Sequence, residues 1–531
     1  MKKKTSREKS FDSKWIVLPI VMIIVFTITI IMNIKHIDDS SNKLFGTLDI
    51  DNGDQKINWS KYKTVNINLS ESLNITESGT YHLTGTLEDG FVAVDNKTSQ
   101  VRLLLDNVSI KNTTGPAIYC TAAENLVIET VGKNFLEDSE EYSENYDEDI
   151  AGTIYSKSDL AFQGTGTLNL VANHQDGIVG KDDVKFNDGM YKITAKDDAI
   201  RGKDSVHIVA GTYELSSGAD AIKSTNETDN GKGFVLVESG NFIINSTAKG
   251  IKSTKSILVY DGTFDINSYD DAIHSDNYIG ITGGIIRVNS GDDGIHANRE
   301  LIIDEGNITI AKSYEGLEAE AITINGGDVS INASDDGINA GGGADSSAIN
   351  NRPGAGSFDA DTDCIININD GNIYINASGD GIDSNGYLNF NGGTTTVDGP
   401  TNNGNGALDA GAGIAMYSGT VIAVGASGMA ETLGETSNIY NISVYFTNTQ
   451  ASDTKIEIKD PTGNTILKHT SAKTFNHLAA GSEKFNYGET YTIYLNDVEY
   501  QSFTITEKTT VVGGSSTNQQ TPPGIRPQTR R

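Results

Sequence analysis

The sequence predicts an all-β chain, a right-handed parallel β-helix of about 22 residues per coil with three short strands in each coil. Three observations carry this reading. An acidic, small, aliphatic triplet returns at nearly constant spacing. Short alternating apolar runs, joined by glycine, lie between the triplets. The composition is high in glycine, with 57 residues in 531, and low in proline, with 8. That mix suits many short strands joined by tight turns.

The triplets include Asp176-Gly177-Ile178, Asp198-Ala199-Ile200, Asp220-Ala221-Ile222, Asp271-Ala272-Ile273 and Asp293-Gly294-Ile295. Glu315-Gly316-Leu317, Asp336-Gly337-Ile338 and Asp380-Gly381-Ile382 continue the series. Counted at Ile178, Ile200, Ile222, Ile251, Ile273, Ile295, Leu317 and Ile338, the steps are 22, 22, 29, 22, 22, 22 and 21. Variants at Ile118 and Ile154, and later at Ile382 and Leu408, extend the array. A fixed period over this length is the signature of a solenoid, whose units bury their apolar faces only by stacking.

Within a unit, Ile257-Leu258-Val259 leads through Gly262 to Phe264-Asp265-Ile266, and Leu301-Ile302-Ile303 through Gly306 to Ile308-Thr309-Ile310. This is strand periodicity with the apolar face inward. About a dozen coils fit between Gly79 and Ala430. Residues one period apart should stack about 4.8 Å apart. Asn267, Asn289, Asn332 and Asn376 would then form an amide ladder. Two units are swollen, by Thr225 to Lys232 and by Gly341 to Asp363.

The ends differ from the array. Residues 1–34 carry a basic start (Lys2, Lys3, Lys4, Arg7, Lys9, Lys14) and then an apolar run from Trp15 to Ile34. About 20 such residues span a bilayer as a helix, and the basic flank stays cytoplasmic. The expectation is an uncleaved, single-pass transmembrane anchor in the cell membrane, with the bulk of the chain extracellular. Residues 35–57 read as a linker, 58–435 as the β-helix, 436–512 as a small C-terminal β cap or sandwich, and 513–531 as a disordered tail. Cys120 and Cys364 are isolated and read as buried free thiols. The pattern implies no particular oligomeric state.

The formal net charge of −31 argues against nucleic acid and for cations as partners. The acidic corners concentrate that charge. Asp197-Asp198, Asp270-Asp271, Asp292-Asp293 and Asp335-Asp336 are paired carboxylates; Asp220, Glu315 and Asp380 fill the same row. Two carboxylates at about 4.8 Å repel by roughly 3.5 kcal/mol at an effective dielectric near 20. Such a stack needs corner N–H donors, cations, or both, and Ca²⁺ suits hard oxygen clusters. The candidate metal ligands are Asp197, Asp198, Asp220, Asp270, Asp271, Asp292, Asp293, Asp335, Asp336, Asp380 and Asp383. A second row follows the aliphatic residue: Arg201, Lys223, Lys252, His274, His296, Glu318, Asn339 and Asp383. Its basic members either neutralise the acidic row or pair with sugar carboxylates. Arg201, Lys223, Lys252, His274 and His296 are accordingly the candidate ligand-binding residues. The sequence Asp359-Ala360-Asp361-Thr362-Asp363 is a partial calcium-loop pattern. Tyr213, Tyr269 and Tyr314 are candidate surface rings for stacking on sugars. No nucleophile elbow, zinc motif, P-loop or dinucleotide fingerprint occurs.

Several segments resemble a bacterial family of carbohydrate-binding parallel β-helix proteins. They are Gly79 to Leu87, Ala151 to Leu170, Asp197 to Ser205, and Ala377 to Glu431 with its SGDGIDSNG, GPTNNGNGALDA and GASGMAE runs. The resemblance spans about Asp51 to Leu495. Members of that family look like pectate lyases of the β-helix type and include a calcium-containing clostridial protein that binds polygalacturonate and cellulose. The resemblance implies non-catalytic binding of an acidic, pectin-like polysaccharide, with calcium at corners such as Asp293, Asp336 and Asp380. The chain departs from the family pattern in its Ala-for-Gly corners, in Lys249 and in Asp409-Ala410. Two other functions fit the same solenoid. One is a calcium-dependent polysaccharide lyase with Lys223, Lys252 or Arg201 as base. The other is a structural spacer or adhesin.

Overall fold

The repeat closes into a β-solenoid of about 14 turns with almost no helix. The computed structural model describes residues 48–341 and 363–514. The expected anchor, most of the linker, the Asp359-Asp361 pattern and nearly all of the expected tail lie outside the described residues. Among the described residues no helix is long and apolar enough to cross a membrane. The solenoid and its cap belong to the compact unit that begins at Ile50.

Three columns of parallel strands run along the solenoid. One column holds the three-residue strands that follow the acidic corner, in the register Ile178, Ile200, Ile222, Ile251, Ile273, Ile295 and Leu317. A second stacks strands such as Ser205–Ile208, Phe234–Val237 and Ser256–Val259. The third stacks six-residue strands such as Met190–Ala195, Thr212–Ser217, Asn241–Ser246 and Thr263–Ser268. The 29-residue step is absorbed by Thr225 to Lys232, and Lys223 still pairs with Lys252. The solenoid starts one coil earlier than Gly79, because Thr64–Leu69 pairs in parallel with Gly79–Leu87.

Inward side chains form one continuous core containing Ile200, Ile222, Ile251, Ile273 and Ile295, all fully buried. Stacked rings line part of it. Tyr191, Tyr213, Phe242 and Phe264 lie face to face, with centroids 5.2, 4.8 and 4.5 Å apart. Tyr213 is therefore a core residue, not a surface ring, and its hydroxyl donates to the carbonyl of Ala210 at 2.8 Å. The amide ladder is present between Asn289 and Asn267, at 3.1 Å. Cys120 and Cys364 are buried and form no disulfide.

At the C-terminal end, Phe475–Ser482 pairs antiparallel with the last coil strand, Thr420–Gly425, and shields its open edge. Asn441–Gln450 pairs with the other side of Phe475–Ser482, and Thr509–Gly513 adds in parallel to Asn441–Gln450. A separate four-stranded antiparallel sheet completes the cap. Its core includes Val444, Phe446, Ile456, Phe475, Tyr491 and Phe503.

Candidate functional site

Each acidic corner lies between the third column and the short-strand column. The backbone ladder runs through the corner unbroken: Gly177 N–H donates to Asp198 O at 2.9 Å, and Ile178 N–H to Ala199 O at 3.0 Å. The corner carboxylate adds a bond of its own. Asp176 Oδ1 accepts the N–H of Asp198, Asp198 Oδ1 that of Asp220, and Asp220 Oδ1 that of Lys249, each at 3.0 Å. Further along, Asp271 Oδ1 accepts from Asp293 at 3.0 Å, Asp293 Oδ1 from Glu315 at 3.1 Å, and Asp336 Oδ1 from Asp380 at 2.5 Å. One oxygen of each of these carboxylates thus holds the coil above it in register. The other oxygen faces the second row, and what it meets changes along the column.

In the first stretch it meets fixed cations. The Arg201 guanidinium contacts Asp176 Oδ2 and lies 4.0 Å from Asp198 Oδ2. Lys223 Nζ is 2.8 Å from Asp220 Oδ2 and 3.4 Å from Asp198 Oδ2. Lys249 Nζ is 2.6 Å from Asp271 Oδ2 and 2.9 Å from Asp270 Oδ1. Burial works against the Lys223 charge, but Asp198 and Asp220 outweigh it and hold its pKa above the ordinary lysine value. Lys252 is half-buried beside Lys223 and His274 in register. Asp197 is exposed.

The middle stretch meets imidazoles. His274 sits between two carboxylates, with Nδ1 2.8 Å from Asp271 Oδ2 and Nε2 3.1 Å from Asp276 Oδ1. Burial opposes its charge, yet those two bonds raise its pKa. His296 is fully buried, with Nδ1 3.2 Å from Asp293 Oδ2 and 3.1 Å from Glu318 Oε2. Asp292 is half-buried alongside.

The last stretch meets only more carboxylates. Burial, then Asp380 and Asp335, pushes Asp336 up to about 8. Burial and then Asp409 and Asp380 push Asp383 up to about 7. Asp380 rises to about 6, first through burial and against the N–H that Gly406 donates to it. Burial and then Asp409 lift Glu431 to about 7. Among the described residues no basic side chain forms an ion pair with Asp336, Asp380, Asp383, Asp409 or Glu431.

Calcium takes six to eight hard oxygens at about 2.3–2.6 Å. The last stretch fits that donor set: half-buried carboxylates that repel one another, with no internal cation. In the first stretch ammonium and guanidinium groups already occupy the place an ion would take. Asp409, Glu431 and Asp176 join the sites without having been singled out as ligands from the sequence; Asp176 was visible there as a triplet member. Beside the column, Thr194, Ser216, Asn245, Thr247, Asn267 and Tyr269 line an open groove, and Tyr269 is 80% exposed. Hydroxyls, amides and an exposed ring can receive a sugar by hydrogen bonding and stacking.

A family described as carbohydrate-binding domain-containing proteins matches residues 70–337. A carbohydrate-binding domain-containing protein of Acetivibrio thermocellus is 36% identical over 135 residues, 24% of this chain and 47% of the relative. The chain thus spans about half the length of that curated relative. A solved structure of the polysaccharide lyase-like protein from C. thermocellum, in a gadolinium derivative, is 28% identical, with a TM-score of 0.39. The match covers 46% of this chain and 99% of that one.

Proposed function

The chain belongs to the family of carbohydrate-binding domain-containing proteins, and on that premise we propose that it binds an acidic, polygalacturonate-like polysaccharide through calcium and does not cleave it. The observation that carries this reading is the run of Asp336, Asp380 and Asp383, which no basic side chain among the described residues pairs and whose carboxyls are all raised. Calcium there would neutralise protein carboxylates and present positive charge to those of a uronate chain. Without such a bridge, a chain of net charge −31 repels an acidic polymer. Coils spaced by the strand repeat offer equivalent groups about every 4.8 Å to a polymer lying along the flank. Tyr269 and the groove beside it would take the sugar faces.

The non-catalytic part of the proposal rests on two of the three candidate bases. A lyase needs a base that is free of its proton. Lys223 is held protonated by Asp198 and Asp220, and Arg201 is held by Asp176. The apolar run at 15–34 would tether the solenoid to the outer face of the cell membrane.

Binding to immobilised polygalacturonate tests the reading. It should be strong in millimolar calcium, abolished by EDTA, and lost in a combined Asp336→Asn, Asp383→Asn variant that keeps its β-sheet circular dichroism. Undiminished binding in EDTA would remove the bridge from the account. Calcium-dependent growth of ultraviolet absorbance from unsaturated product would instead make the protein a lyase.

A further inference from the structure

We propose that Asp293, His296 and Glu318 form a buried site for a small divalent transition-metal ion of the zinc class, separate from the all-carboxylate corner downstream. The three side chains come from neighbouring coils, and one ligand atom of each lies within 4.8 Å of the others. His296 Nδ1 is 3.2 Å from Asp293 Oδ2 and 3.1 Å from Glu318 Oε2. Ligands about 2.0–2.1 Å from a tetrahedral zinc ion lie roughly 3.3 Å from one another. The observed spacings need only a small adjustment to reach that. A mixed imidazole and carboxylate set suits zinc and its neighbours, whereas calcium takes oxygen alone.

A second observation points to a ligand. Glu318 is 95% buried, and its Oε2 accepts no hydrogen bond although it is aimed at the cluster. The hydrogen bond that His296 Nδ1 makes is to Asp293 Oδ2. Asp293 Oδ1 is already committed to the backbone of Glu315. Two buried carboxylate oxygens therefore converge on one ring nitrogen, out of water, where an unpaired charge is costly. A divalent ion would bind all three atoms at once.

The preceding coil supplies an internal comparison. His274 stands in register with His296, yet both its nitrogens are bonded, and Lys249 supplies positive charge to Asp271. Beyond Glu318 the row holds Asn339, whose amide donates to Glu315 Oε2 at 2.9 Å. Those neighbours are closed by the protein's own groups, and the site between them is not.

The test uses the full chain produced in zinc-supplemented medium and dialysed against millimolar calcium without chelator. Elemental analysis should find about one zinc per chain that calcium does not displace. Cobalt substituted for zinc should give visible absorption typical of a nitrogen and oxygen ligand set. Glu318→Gln, nearly isosteric, and His296→Gln should each lower metal retention at least about tenfold. His274→Gln should retain it. Zinc or cobalt content at background in the wild-type chain would overturn the site. So would retention unchanged in both Glu318→Gln and His296→Gln, or equal displacement by calcium. Because polygalacturonate binding is read separately, either proposal can fail without the other.

Discussion

Raising the pH in the absence of calcium should loosen the C-terminal coils. Asp383 lies at about 7 against an ordinary 3.8, and Asp336 lies at about 8. A carboxyl raised on folding binds its proton more tightly in the native state. Stability therefore falls as pH rises from about 4 to about 7 or 8. Three units on Asp383 correspond to about 4 kcal/mol. Solvent reaching a half-buried group roughly halves that. Asp336 and Glu431 share the same repulsion, so the cluster as a whole contributes about 4 kcal/mol, well short of the sum of its members. Unfolding entropy of about 2 cal/mol/K per residue, taken over the described residues, converts this to a Tm lower by about 4 °C. The drop is larger if the terminal coils melt as their own unit. Calorimetry in EDTA at about pH 5 and about pH 8 measures it. Calcium should restore the loss at the higher pH and do little at the lower. The combined Asp336→Asn, Asp383→Asn variant should reduce the difference, and the part that remains belongs to the other raised carboxyls, Asp176 and Glu431 among them. A Tm in EDTA that holds steady or rises with pH, or a drop undiminished in that variant, would refute the reasoning.

The core supplies two further outcomes. Phe264 is fully buried and stacked on Phe242, so Phe264→Ala should cost about 3–5 kcal/mol, read as a lower urea midpoint. The Cys120 thiol is buried and pushed up to about 11, chiefly by burial. It should resist a thiol reagent in the native chain and react fully in urea.

The coil register is legible in the sequence because the aliphatic residue of each triplet points inward and the core fixes the stacking. The 29-residue step does not disturb it, since Thr225 to Lys232 loops out and leaves Ile222 opposite Ile251. The ring stack is harder to see, although its signal is present. Gly211-Thr212-Tyr213, Gly240-Asn241-Phe242 and Gly262-Thr263-Phe264 share one pattern. A glycine with positive φ turns the chain, and the second residue after it is the first to point inward. Tyr213 thus has to be core. The first coil escapes the repeat pattern because Thr64–Leu69 keeps one face exposed and buries fully only Leu69. The pairing of charges is not legible either. Arg201 follows Asp198 in sequence but reaches back to Asp176, whereas Lys249 reaches forward to Asp271. Long side chains choose between adjacent coils by reach, which sequence spacing does not encode.

The column shows how one backbone device produces different sites. A corner carboxylate gives one oxygen to the N–H of the next coil whatever its other oxygen faces, although Lys249 and Gly406 stand in the same row. The second row then decides the outcome. Arg201 and Lys223 close the column with fixed charge. His274 closes it with a ring bonded to a carboxylate through each nitrogen. At Asp383 the row itself becomes acidic, and the column can be neutralised only by protons or by an ion from outside. On the proposed reading, ion affinity is set by the residue three places after each corner carboxylate, and the corner carboxylates themselves serve the register of the coils.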